Sequence, residues 1–193
     1  MTNPWENQPE TIELTQHHPA GGILAFYLSQ HPDNVGRKIE DIWQWDYQKL
    51  GGVHNYIQWL FPLLEKSRFN SEAPVLTEPV IAAFRSSNEL QKRLGTSFRI
   101  LLNYYGLECG ENEGKIKIIK SAEYPQRKKA WVNPRNHNYL RITRILTSLT
   151  LLGLKDYAKA FLSCLEEIYK EEGANIGIET YTYWKNALKI SPN

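Results

Sequence analysis

The sequence predicts an all-α fold: a compact single-domain bundle of six to eight helices, with one long basic loop that holds a weak β-hairpin. Three observations carry this reading. Apolar residues recur at helical spacing along most of the chain. Gly, Pro, Ser, Asp and Asn fall at the ends of those stretches, where helices start and stop. Only Lys115 to Lys120 (KIKIIK) alternates in the manner of a strand. The chain of 193 residues suits one domain, and its 41% hydrophobic share supports a core without disulfides or metals. Six Trp, 11 Tyr and 6 Phe stand against a single Met, so the chain is rich enough in large apolar groups to order.

Residues 1–18 read as a flexible polar arm, and 19–193 as one helical domain. The apolar run Ile23 to Leu28 predicts a short helix that ends before His31-Pro32-Asp33. Ile39, Ile42 and Trp43 predict a second over Lys38 to Trp45. Asp46 is the N-cap of a third, with Leu50, Val53, Ile57, Leu60 and Phe61 on one stripe and Pro62 as its stop. On that helix His54 falls within the stripe and Trp59 nearly opposite it. Leu63 to Leu76 is a loop. Thr77, with Pro79 in the first turn, starts the next helix, and Ser87 caps the one after, which ends at Gly106 as a left-handed stop. Residues 107–135 are a long excursion punctuated by Gly110, Gly114, Pro125 and Pro134. Asn136 or its neighbour restarts helix, with Ile142, Ile145, Leu146, Leu149 and Leu152 on its inner face and Gly153 as its end. A second helix carries Tyr157, Phe161, Leu165 and Ile168, with Gly173 after it, and a last one spans about 179–189. The short link at Gly153 makes the first two an antiparallel pair.

Several function classes are excluded. No phosphate-binding glycine loop, zinc-protease, hydrolase-elbow or calcium-loop motif occurs. Cys109 and Cys164 stand 55 positions apart with no CxxC and read as two semi-buried thiols. His17-His18 lack partners at ligand spacing, and Glu166-Glu167 and Glu171-Glu172 read as a solvated helix face. No cofactor or metal is expected. The N-terminus lacks the basic and apolar regions of a signal peptide, and no stretch approaches the roughly 20 apolar residues of a membrane span. A cytoplasmic, soluble protein is the expectation, and nothing sets its oligomeric state.

The net charge of +2 is unevenly spread. Residues 1–114 are net −5, residues 115–144 net +8 and residues 145–193 net −1. The basic block comprises Lys115, Lys117, Lys120, Arg127, Lys128, Lys129, Arg135, Arg141 and Arg144. Such a block invites nucleic acid or an anionic membrane surface. The plainer alternative is a solvated loop that neutralises acidic neighbours elsewhere on the fold.

Two constellations are candidates for binding. In HNYIQWLFP (His54 to Pro62), Tyr56 and Trp59 lie off the stripe, and His54 and Gln58 are one turn apart. They either serve a second packing layer or wait for a partner. In NPRNHNYLRITR (Asn133 to Arg144), His137, Arg141 and Arg144 share one helix face near a helix start marked by Asn136. Arginines beside free N–H groups suit a carboxylate, and they equally suit pairing with an acidic neighbour.

The strings HNYIQWLFP, SRFNSEAPVLT (Ser67 to Thr77) and NHNYLRITRILTSLTLLGL (Asn136 to Leu154) resemble the conserved domain of the opioid growth factor receptor family. FYLSQHPDNVGRKIEDIWQW and Tyr104-Tyr105-Gly106-Leu107 fit the same pattern in the same order, and the likeness covers about residues 20–190. It implies a domain associated, in animal members, with binding an enkephalin-type pentapeptide and with the nuclear envelope, hence peripheral membrane association. Those members carry a long repeat-bearing tail, so the expectation here is a short stand-alone, bacterial-type version of the domain alone. The family supplies no catalytic residues. The leading reading is therefore a non-enzymatic module for a peptide or protein segment. In it an aromatic groove at Tyr56 and Trp59 holds apolar side chains while Arg141 or Arg144 takes a carboxylate. Nucleic-acid or anionic-surface binding through 115–144 is the second reading, and an enzyme centred on His54 or His137 the third.

Overall fold

The computed structural model describes residues 22–112 and 114–190. The expected arm at residues 1–18, with His17 and His18, lies outside them. Among the described residues there are ten α-helices, one 3₁₀ turn and one two-stranded hairpin. The helices are α1 (Ile23–Tyr27), α2 (Ile39–Trp43), α3 (Tyr47–Gly52), α4 (Ile57–Leu60), α5 (Glu78–Ser86), α6 (Asn88–Tyr105), α7 (Tyr124–Arg127), α8 (Asn138–Leu151), α9 (Lys155–Ile176) and α10 (Ile178–Ala187). Strands β1 (Leu107–Asn112) and β2 (Lys115–Lys120) pair antiparallel, with Leu107 opposite Lys120 and Asn112 opposite Lys115.

The all-α reading holds, with two more helices than expected. One is α7, a single turn. The other arises because the helix expected over 47–61 is broken into α3 and α4. In a continuous helix the Leu50 carbonyl would accept from the His54 N–H. Instead it accepts from the Tyr56 hydroxyl at 2.9 Å and from Arg141 Nη1 at 2.9 Å. Gly51 and Gly52, poor helix formers, make the break inexpensive.

Local signals set the other boundaries. Asp46 Oδ1 accepts from the Lys49 N–H at 2.7 Å, and Ser87 Oγ from the Leu90 N–H at 3.3 Å, each satisfying a free donor of a first turn. Thr77 starts α5 without a side-chain cap bond. Gly106 ends α6 at φ +77°, and its carbonyl accepts from both the N–H and Oγ of Ser121, which closes the base of the hairpin. Gly153, at φ +98°, turns α8 into α9. There Arg85 Nε donates to the Leu151 carbonyl at 2.9 Å and Gln91 Nε2 to the Leu152 carbonyl at 2.6 Å, so α5 and α6 side chains satisfy the end of α8. Helix α9 runs past the expected stop at Gly173. It kinks at Glu172 (φ −120°, ψ 17°) and ends before Gly177.

Helix α8 sits at the centre, packed against α9 and α10, while α6 carries α5 and the hairpin, and β2 lies along α9. The α8 residues from Ile145 to Leu151 are all buried. The segment 33–37 is a clamp: buried Asp33 accepts from the N–H groups of Val35 and Arg37 and pairs with the Arg37 side chain. Arg37 Nη1 then reaches Asn55 Oδ1 at 2.9 Å, which holds the broken stretch between α3 and α4 in place.

Candidate functional site

The two sequence constellations meet in one pocket of about 360 Å³, lined by α8 on one side and by residues 54–69 on the other. His137, at the N-cap of α8, and Leu140, Arg144 and Thr147 on it contribute. At about 100° per residue they fall roughly opposite the stripe Ile142, Ile145, Leu146 and Leu149 that faces the core. Helix α8 thus has one face in the core and another toward this pocket. His54, Ile57, Gln58, Leu63 and Phe69 form the facing wall.

Arg141 anchors the floor. It is 5% exposed, and its donors are largely committed. Nη1 reaches the Leu50 carbonyl and Asn138 Oδ1 (3.4 Å), and Nη2 reaches the Val53 carbonyl at 2.7 Å and His54 Nδ1 at 3.2 Å. A guanidinium only donates, so His54 Nδ1 accepts and the ring proton sits on Nε2. The Tyr56 ring lies under the guanidinium at 5.6 Å. No carboxylate pairs with this cation among the described residues.

Arg144 is the available cation. Its Nη1 donates to the Phe61 carbonyl at 3.1 Å, while Nε and Nη2 have no hydrogen-bond partner among the described residues. Burial pushes its guanidinium down to about 10, so it stays charged at neutral pH. On the facing wall Gln58, 4% exposed, has Oε1 buried without a partner. A buried amide oxygen left unpaired costs about 1–3 kcal/mol, which a ligand donor would recover. The rim is apolar: Phe69 is 80% and Leu140 62% exposed. No Asp or Glu is among the lining residues.

The rings of His54 and His137 meet edge to face, 5.0 Å between centroids. Partial burial holds His137 below the usual imidazole value. The charge of Arg141 acts in the same direction, and a backbone bond with Gly51 opposes it. The pocket thus gathers cationic and polar groups under an apolar rim. It can hold an anion on an apolar body.

Five of the predicted candidates come together here: His54, Gln58, His137, Arg141 and Arg144. Three do not. The expected aromatic groove at Tyr56 and Trp59 is absent because both rings are in the core. Tyr56 packs on Trp45 at 5.2 Å, and Trp59 packs on Phe26 at 5.1 Å with its Nε1 on Asn34 Oδ1 at 3.0 Å. Asn136 sets the start of α8 instead, its Oδ1 accepting from the Asn138 N–H at 2.9 Å.

The basic block is dispersed. Lys120 pairs with Glu171 and Lys128 with Glu172, both at 2.6 Å, and Lys129 reaches Gln126. Arg127 lies 4.0 Å over the Tyr47 ring and donates to the Tyr104 carbonyl. Lys115, Lys117 and Arg135 are exposed, while Arg141 and Arg144 belong to the pocket. Cys109 and Cys164 are free thiols, Cys109 half-buried and Cys164 buried, and burial pushes Cys164 up to about 12. Sequence reasoning missed Phe69 and Leu140. Both left a signal: an isolated Phe in the polar run SRFNS, and a Leu on the side of α8 away from its stripe.

Fold and site together define a helical domain with a cationic, apolar-rimmed pocket. The chain matches the family described as "Opioid growth factor receptor (OGFr) conserved region" over residues 22–192, and it belongs to that family. It is 42% identical over 157 residues to the human protein named opioid growth factor receptor, covering 78% of this chain and 22% of that protein. It is 38% identical over 138 residues to an opioid growth factor receptor-like protein 1 of Xenopus tropicalis, covering 69% and 26%. The chain thus spans about a quarter of the length of these relatives. No solved structure matches it. No helix among the described residues is long and apolar enough to cross a membrane.

Proposed function

We propose that the chain is a non-enzymatic module that binds a short peptide or protein segment in the pocket between α8 and residues 54–69. One observation supports this above the others: two arginines and two histidines line an apolar-rimmed cavity that holds no Asp or Glu. Uncompensated cations beside apolar surface favour an anionic, partly apolar ligand. The lack of a lining carboxylate also weighs against an enzyme centred on His54 or His137, since a histidine base ordinarily needs an orienting partner. Relatives named as receptors agree with a binding role.

Titration calorimetry with an enkephalin-type pentapeptide, the ligand class the family resemblance implies, tests the reading. Saturable heat that Arg144→Gln reduces at least fivefold in affinity is expected. No heat at millimolar peptide overturns the receptor-like form of the proposal.

A further inference from the structure

The pocket has more specific chemistry than general peptide binding requires. We infer that it recognises the free carboxyl end of a peptide: the terminal carboxylate on Arg144, the last backbone N–H on Gln58, and the last side chain, an apolar one, against Phe69 and Leu140. The inference rests on the peptide-binding reading above and specifies which end of the peptide is seated.

Size gives the first argument. A cavity of about 360 Å³ is near the lower bound of ligand pockets, which run from about 300 to 1,000 Å³. It suits one end of a chain and leaves the rest on the surface. Charge gives the second. The Nε and Nη2 of Arg144 have no partner among the described residues, and Nε with an adjacent Nη forms a planar fork matched to the two oxygens of a carboxylate. Arg141, already committed to the Leu50 and Val53 carbonyls, adds positive potential without offering the same fork.

The third argument is Gln58. Gln58 lines this cationic pocket with its Oε1 buried and unpaired, so a turn of its side-chain amide presents an acceptor to a bound chain end. A bare anion would leave that acceptor unsatisfied. A peptide end presents a carboxylate and, one residue unit away, an N–H donor. Gln58 and Arg144 line the same pocket, and the carbonyl that fixes Arg144 belongs to Phe61, three residues beyond Gln58. The apolar rim of Phe69 and Leu140 then selects the last side chain, since each exposed apolar group covered by a ligand contributes to burial. A fatty acid supplies the carboxylate and the apolar body and lacks the N–H.

Fluorescein-labelled pentapeptide pools, randomised at the first four positions and ending in Leu, test this by anisotropy as free acid and as C-terminal amide. The acid pool is expected to bind at least tenfold tighter than the amide pool. Arg144→Gln should bring the acid down to the amide level, and Arg144→Lys should keep part of the difference. Gln58→Leu should weaken the acid pool about threefold or more while leaving sodium decanoate unchanged, with thermal melts confirming folded variants. Equal binding of acid and amide overturns the chain-end inference and leaves the peptide-binding reading standing. Binding of decanoate with neither pool, or of nothing at millimolar concentration, overturns both.

Discussion

Arg141 on α8 donates to the carbonyl of Val53, 88 residues earlier in the chain, at 2.7 Å. A second donor of the same guanidinium reaches the carbonyl of Leu50. These bonds attach the broken helix of the first motif to the intact helix of the second, and they shape the pocket floor. Removing them leaves the Val53 carbonyl without a donor inside the fold and the Leu50 carbonyl with the Tyr56 hydroxyl alone. Arg141→Ala is expected to lower unfolding free energy by about 2–4 kcal/mol, measured by urea titration. Arg141→Lys should recover less than half, because one ammonium lacks the planar fork that serves both carbonyls. A loss under about 1 kcal/mol for the alanine variant would show that water replaces the guanidinium.

Trp59 has no part in the pocket and a large part in the core. Its ring packs on Phe26 and its N–H is satisfied by Asn34. Trp59→Ala should cost about 3–5 kcal/mol, as for other large buried aromatics. Trp59→Phe, which keeps much of the volume, should cost less. Thermal and urea unfolding both read this, and near-wild-type stability of the alanine variant would contradict the packing described.

Gly106 and Gly114 form a matched pair. Both have positive φ, +77° and +73°. A Cβ on Gly106 would lie 2.7 Å from the Tyr124 Cα, whereas one on Gly114 would meet nothing within 4 Å. Gly114→Ala should therefore cost only the left-handed backbone penalty, about 1 kcal/mol. Gly106→Ala adds a backbone clash and should cost at least twice as much. Equal losses in thermal melts would show that the α6–α7 contact yields easily.

His137 makes stability depend on pH. Its folded-state value lies below 6.5, chiefly through partial burial of the ring. The unfolded chain then binds the proton more readily than the folded one between those two values. Stability is full above about pH 6.5, declines as pH falls below it, and levels off below the folded value. His137→Gln should remove that part of the slope between pH 7.5 and 5.5 in urea midpoints. An unchanged slope would place the titration elsewhere.

The ion pairs of the basic block should matter little. Lys120–Glu171 and Lys128–Glu172 are at or near the surface, where such pairs contribute about 0–1 kcal/mol. Lys120→Ala and Lys128→Ala should each shift the urea midpoint by less than that amount allows. A larger loss would mean that the pairs act as a network tying β2 and the α7 region to α9.

Much of the fold is legible in the chain because its causes are local. A side-chain oxygen at Asp46 or Ser87 bonds to an N–H three residues on. Gly106 and Gly153 adopt the backbone that ends a helix, and KIKIIK alternates as a strand does. Each of these depends on neighbours within a turn or two. The grouping of His137, Arg141 and Arg144 on one face follows from the same short-range geometry.

What the tertiary structure decided depends on partners far along the chain. The stripe from Leu50 to Phe61 is continuous in sequence, yet the helix breaks, because Arg141, 91 residues away, takes the Leu50 carbonyl. Trp59 and Tyr56 look like an unpartnered face until Phe26, Asn34 and Trp45 cover them. The charges that read as one basic block are divided among ion pairs, aromatic contacts and a pocket. The sequence by itself determined most of the helices, where most of them end and which residues share a helix face. Only packing decided which of those residues face one cavity, because a carbonyl or a ring goes to whichever donor or surface the folded chain brings nearest.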